Sequence, residues 1–196
     1  MRRSLLLVML TALLPINALA VLSTPYGWYI EANVGTTKLF DEDYPPGASD
    51  ETTWIGGNVN LGYKFMPFFA AEVGYTRYAD TKIEDQSGTT AGEDQHYSMD
   101  LAAKGIIPFS YTGFEGFGKL GVQRLHSRIK IKSSVAASNI GLVKSSSGVT
   151  GFYLGAGVQY YFTPQMAVVA QWARANGNSE TGTIDLYSIG VNFVFI

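Results

Sequence analysis

Cysteine is absent from this chain. Neither a disulfide framework nor a lipid-attachment cysteine is therefore available. Histidine is nearly absent too, with His96 and His126 alone, and no metal-ligand cluster, phosphate loop or dinucleotide fingerprint occurs. Charge is thin: 14 Lys and Arg against 16 Asp and Glu give a formal net of −2. That balance is too mild to imply nucleic acid or a strongly cationic partner. After the first 20 residues, no segment approaches the eighteen or more unbroken apolar residues a spanning helix needs.

What is present begins with an export signal. Arg2 and Arg3 form a charged start, Leu5 to Leu14 an apolar stretch, and Ala18-Leu19-Ala20 a small-residue cleavage site. The apolar stretch is too short to span a membrane and Pro15 follows it. Residues 1–20 are therefore expected to be a signal peptide, and 21–196 a single mature domain. The exported chain is then either soluble or crosses a membrane as strands.

Bulky apolar residues alternate with small or polar ones in eight successive runs, near 26–38, 52–65, 68–79, 95–107, 112–126, 148–162, 165–176 and 184–195. In the second run Ile55, Val59, Leu61, Tyr63 and Phe65 share one face, while Gly56, Asn58, Asn60, Gly62 and Lys64 share the other. Three of the seven prolines mark tight connections at Met66-Pro67, Pro108 to Tyr111 and Thr163-Pro164. None lies inside a proposed strand, as the missing donor demands. The connections 39–51, 80–94, 127–147 and 177–183 are longer. Short and long connections in alternation predict an all-β fold: an eight-stranded antiparallel up-and-down transmembrane β-barrel, with both termini and the short turns periplasmic.

Alternation alone does not say which face is inside, and a soluble lipocalin-type carrier would turn the apolar face inward. Residue size favours the membrane form. The polar face carries Gly35, Gly56, Gly62, Gly74, Gly121, Gly155, Gly157 and Gly190, and an eight-stranded barrel has little interior to fill. Aromatics gather near strand ends (Trp28, Trp54, Tyr63, Phe65, Phe69, Phe109, Tyr161, Phe162, Trp172, Phe193 and Phe195) as an interfacial girdle would require.

Three stretches carry a family resemblance. Gly27-Trp28-Tyr29-Ile30-Glu31-Ala32-Asn33-Val34-Gly35 resembles the first strand of the transmembrane domain of outer membrane protein A and its relatives. Gly155-Ala156-Gly157-Val158-Gln159-Tyr160, followed by Thr163-Pro164, is similar to the sixth strand and third periplasmic turn of that family. Ser188, Gly190, Phe193 and Phe195 fit the signal by which outer-membrane barrels are handed to the barrel-assembly machinery, although Ile196 follows where the signal usually closes the chain. With no peptidoglycan-binding domain following, the comparison is with barrel-only members such as outer membrane protein X and the opacity-type proteins. The resemblance implies a surface protein of a Gram-negative outer membrane, involved in membrane integrity, adhesion or host contact, and a monomer is expected. It also implies partners among membrane lipid, lipopolysaccharide and a host or surface ligand, with no cofactor.

The two-residue phase sends Glu31, Lys64, Glu72, Asp100, Lys104, Glu115 and Lys119 inward. Buried charges persist when paired, so a lumen network is expected, completed by Asn33, Asn58, Asn60, Gln123, Gln159, Gln171 and Asn192. By resemblance, Glu72 and Lys104 sit where relatives keep internal charges. The set reads as a polar plug; the competing reading is a narrow ion path.

A lipid A enzyme must also be weighed, because His96, Ser98 and Asp100 share a face. The phase that sends Met99 and Leu101 to lipid sends those three inward, out of reach of a lipid substrate. A solvated position at the rim is the plainer account of His96. His126 and Ser127, as strand neighbours, face apart. No catalytic residues are expected.

A filled barrel leaves the loops as the working surface. The first is acidic (Asp41, Glu42, Asp43, Asp50 and Glu51), and so, apart from Lys82, is the second (Asp80, Glu84, Asp85, Glu93 and Asp94). Their spacing matches no calcium-loop motif. The third carries Arg128, Lys130, Lys132 and Lys144, and the alternation of 128–132 lets the fifth strand run on with its cations on one side. Arg124, Arg128, Lys130 and Lys132 are the candidate contacts for lipopolysaccharide phosphates or another anionic surface. Pairing with the acidic loops is the plainer alternative.

Overall fold

The computed structural model describes residues 26–40, 49–52, 55–109, 112–179 and 181–195. The expected signal peptide, the tip of the first loop, Trp54 and Ile196 lie outside them. In chain order the strands are β1 (Gly27–Phe40), β2 (Ser49–Thr52), β3 (Ile55–Met66), β4 (Phe69–Arg77), β5 (Thr81–Glu84), β6 (Thr90–Phe109), β7 (Phe114–Ile131), β8 (Ser146–Tyr161), β9 (Met166–Ala175) and β10 (Thr183–Val194), with one short helix, α1 (Ser134–Asn139), between β7 and β8.

Every pairing is antiparallel, in the order β6-β4-β3-β1-β10-β9-β8-β7. Pairing of β6 with β7 closes the ring of eight. Closure removes the exposed edges that an open sheet would present. β5 and β2 are not extra staves. β5 pairs with Gly92–Asp94 and Thr90 of β6, above the stretch Tyr97–Gly105 that pairs with β4, and β2 pairs with β5. They prolong the wall at the long-loop end.

The alternation decides the inside from the outside. Along β1, Trp28, Ile30 and Val34 are exposed while Tyr29, Glu31 and Asn33 are buried. Val73 and Leu154 are 50% and 36% exposed, whereas Glu72 and Lys104 are 4% and 1% exposed. The inverted, soluble arrangement is thereby excluded.

The inner face is not uniformly small, contrary to the expectation from its glycines. Tyr29, Phe117, Tyr153 and Tyr161 also point inward. Two of the glycines make local room for bulk: a Cβ on Gly62 would lie 2.2 Å from Cζ of Tyr29, and one on Gly157 2.5 Å from Cζ of Phe117. Tyr161 therefore leaves the expected girdle; its phase with Tyr153 and Gln159 buries it.

Pro108 lies inside β6, which runs to Phe109, and not in the turn as expected. Ile106 donates its N–H to Phe68 O at 2.9 Å. Two residues on, the proline nitrogen faces the same side, where β4 has already ended, so no ladder bond is lost. Thr163 steadies the β8–β9 turn by accepting from the Met166 amide at 2.9 Å.

The third loop folds into a cap. Ser133 O accepts from Ala137 N at 2.9 Å and the Ser133 side chain from Ala136 N at 3.3 Å, starting α1. Ala136, Ala137, Ile140 and Leu142 then pack on Ile83 of β5 and Ala91 of β6. This small core covers the wall extension made by β5 and β6.

Candidate functional site: the lumen charges and the outer cationic strip

Below the cap the lumen is filled in layers. Tyr78, Leu125, Ala175, Ile184 and Leu186 form an upper apolar layer. Tyr29, Ile106, Phe117, Tyr161, Val169 and Val194 form a lower one, at the short-turn end. Charges lie between and among these layers. Lys104 Nζ sits 3.1 Å from Glu31 and 3.1 Å from Glu72, and Lys119 Nζ sits 3.2 Å from Glu31 and 2.7 Å from Glu72. Two acids and two bases thus make a neutral square drawn from β1, β4, β6 and β7.

Lys64 and Glu115 form a separate pair at 2.9 Å. Asp100 joins neither group; its carboxylate lies against Gly74, and no ion pair reaches it among the described residues. Asn33 and Asn60 donate to Glu31, and Gln159 donates to Glu115. Gln171 donates to Asn58, and Gln123 to the Asn176 carbonyl. Asn192 is buried on the same face.

Sequence reasoning missed Tyr29 as a member of the square. Its hydroxyl donates to Glu72 at 2.6 Å, and Lys104 Nζ lies 5.3 Å from its ring centroid and 4.2 Å from that of Phe117. The two-residue phase between Trp28 and Ile30 was the signal that could have placed it inside.

The Ser/His/acid set does not assemble. Ser98 shares a hydrogen bond with the Tyr78 hydroxyl at 3.1 Å, and Asp100 lies elsewhere. His96 is not a solvated rim residue; it is 1% exposed, because β6 continues upward to Thr90 and neighbouring strands enclose it. Its Nε2 is 3.8 Å from Asp94, which accepts from Ser127 Oγ at 2.7 Å. The acid thus stands between serine and histidine, and a base that activates a serine must itself reach the hydroxyl. His126 faces outward, stacked on Tyr97 with centroids 4.9 Å apart.

The outer cations are arranged differently from the inner ones. β7 does run on to Ile131, and Arg124, Arg128 and Lys130 alternate on its outer face, above exposed Leu120 and Val122. Their partners across β6 are Met99, Gln95 and Glu93. Lys132, just past the strand, pairs with Glu93 at 3.0 Å. In the second loop Asp85 accepts from the Ser87 hydroxyl at 2.6 Å, the Ser87 amide at 2.9 Å and the Thr89 amide at 3.0 Å. These bonds, the Ser87 hydroxyl first, hold its carboxyl below the usual carboxylate range. Asp41, Glu42 and Asp43 lie outside the described residues; Asp50 and Glu51 fall in β2.

Ser188 and Gly190 face inward on β10, while Phe193 and Phe195 meet edge-on at 5.3 Å. A Cβ on Gly190 would lie 2.1 Å from the Ala32 carbonyl, which accounts for glycine there.

A closed eight-stranded ring, apolar outside and charged inside, defines a transmembrane β-barrel of the outer-membrane type. Residues 5–196 match the model of the outer membrane protein beta-barrel domain, and the chain belongs to that family. Its location is the outer membrane. The fold is shared with neisserial surface protein A, at 16% identity and a TM-score of 0.60, over 86% of this chain and 97% of that one. The N-terminal barrel of OprF from Pseudomonas aeruginosa aligns at 17% identity and a TM-score of 0.56, over 85% and 97%. Ail of Yersinia pestis, solved with the heparin analogue sucrose octasulfate, aligns at 12% and 0.52, over 86% and 99%. No curated protein sequence matches.

Proposed function

We propose that this barrel is a non-enzymatic surface protein that stabilises the envelope and presents its long-loop end for adhesion. In this reading the outer strip Arg124, Arg128 and Lys130 binds phosphates of lipopolysaccharide or another anionic surface. The observation that carries it is the alternation of those cations on the outer face of β7, directly above Leu120 and Val122. A cation at that height meets headgroups rather than hydrocarbon, and guanidinium groups suit phosphate. Ail offers a precedent for a polyanion on this fold; the strip here is this chain's own. Lys132, paired with Glu93, contributes least.

The stacked lumen layers support a filled post over a channel, and the burial of His96 and Ser98 speaks against lipid A chemistry. The test is the triple change Arg124→Gln, Arg128→Gln, Lys130→Gln. Weaker binding to lipopolysaccharide and weaker adhesion are expected, with unchanged folding. Unaltered binding and adhesion would leave those cations as solvated surface charge.

A further inference from the structure

On the wall made by four neighbouring strands, the outward residues of β1, β10, β9 and β8 form rows set by the strand register. From the long-loop end downward, the first row is Lys38, Asp185, Arg174 and Leu154. The next is Thr36, Tyr187, Trp172 and Ala156, followed by Val34, Ile189, Ala170 and Val158. Ala170 is the notch in the third row. Two open clefts of about 460 and 740 Å³ meet there, sharing Val34, Val158, Ala170 and Ile189. The lower cleft continues to Val168 and Val191.

The upper cleft ends at Thr36, Tyr187 and Trp172, and the ionic row stands one register step above it. Arg174 holds Asp185 with two bonds, of 2.6 and 2.8 Å. It also lies 5.6 Å from the Trp172 ring, and Lys38 Nζ lies 5.7 Å from the Tyr187 ring. The row carries one net positive charge, since Asp185 offsets one of the two cations. Val191 lies six residue steps beyond Asp185, about 20 Å along the strand. At a tilt near 40° that is about 15 Å of depth, roughly half of a ~30 Å hydrocarbon core. Tyr187 and Trp172 stand at the boundary, where interfacial aromatics belong.

We propose that this groove binds one outer-leaflet lipid, a phosphorylated, acylated glycolipid of the lipid A type. One acyl chain lies over Ala170 and a phosphate sits on Lys38. Charge, depth and the single-leaflet length select this occupant: a row with one net positive charge stands over an apolar floor that reaches about half-way through the bilayer. The site is separate from the β7 strip and does not rest on it.

Native mass spectrometry of the folded chain with hexa-acylated lipid A tests the proposal. In the β7 triple variant Arg124→Gln, Arg128→Gln, Lys130→Gln, one bound lipid per barrel is expected. Ala170→Phe, which fills the notch from the lipid side, lowers the bound fraction about tenfold. Lys38→Glu lowers it for bisphosphorylated lipid A and not for the dephosphorylated form. The β7 triple change leaves this adduct intact. Quenching of Trp172 by lipid A with brominated chains, in a Trp28→Phe, Trp54→Phe chain, reads the same site without depending on the Ala170 variant. Equal retention by wild type and Ala170→Phe, or absent quenching, would overturn the proposal. So would wild-type dimers that Ala170→Phe abolishes without any lipid adduct.

Discussion

Lys119 on β7 and Glu72 on β4 are 2.7 Å apart although β6 runs between their strands. Their pairing crosses the lumen rather than following a sheet ladder. With Lys104 and Glu31 they form a square in which each base touches both acids. Removing one base strands a buried carboxylate, whereas removing an acid and a base together leaves a neutral, if less well packed, interior.

Lys119→Met is therefore expected to destabilise the barrel by about 3–5 kcal/mol. The double change Lys119→Met, Glu72→Gln is expected to recover a substantial part of that loss. Urea unfolding in lipid vesicles, followed by tryptophan fluorescence, measures both. Equal losses in the single and double variants would show that the square does not act as a unit.

Gly62 and Tyr29 are expected to behave as a matched pair. Gly62→Val drives a Cβ into the tyrosine ring and should cost about 1–3 kcal/mol. Adding Tyr29→Ala removes the clash, so the double variant should lose less than the two singles summed. Additive losses in the same unfolding assay would contradict the pairing.

The second loop should loosen in acid. The Asp85 carboxyl is held below its ordinary range by the turn it anchors. Its contribution to turn order is thus fully present above the ordinary carboxylate pKa near ~4, and is lost as pH falls through the lowered value. Protection of the Ser87 and Thr89 amides from hydrogen exchange is expected to fall across that acid window in the wild type. In Asp85→Asn it should be low and independent of pH.

Planar-bilayer recording is expected to show no steady large-conductance openings for the wild-type barrel. Tyr153, 1% exposed, sits with Ala102 and Ala173 between the upper and lower apolar layers. Sustained openings in the wild type would mean that those layers part in the membrane.

Much of this was legible residue by residue. The period of two in β1 separates Glu31 from Trp28 and Ile30, and every inward charge named from that phase faces the lumen or its wall. The phase was legible because solvent and hydrocarbon impose a free-energy difference at each position independently. Misjudgements came where proximity to a strand end was allowed to outrank phase, as for Tyr161, or where a strand ran further than its pattern. The added residues of β6 bury His96 and carry Pro108 into the strand.

Chemistry along the chain was enough to establish a membrane barrel and to name its inward charges, since local alternation is a property of each strand alone. Which acid meets which base was not written there. Lys64 could have faced any of four carboxylates, and distances across a closed ring depend on tilt, stagger and the bulk of neighbours such as Tyr29 and Phe117. The same holds for the groove at Ala170. Its walls come from strands far apart in sequence, and only their register aligns a cation, two aromatics and a notch in one line.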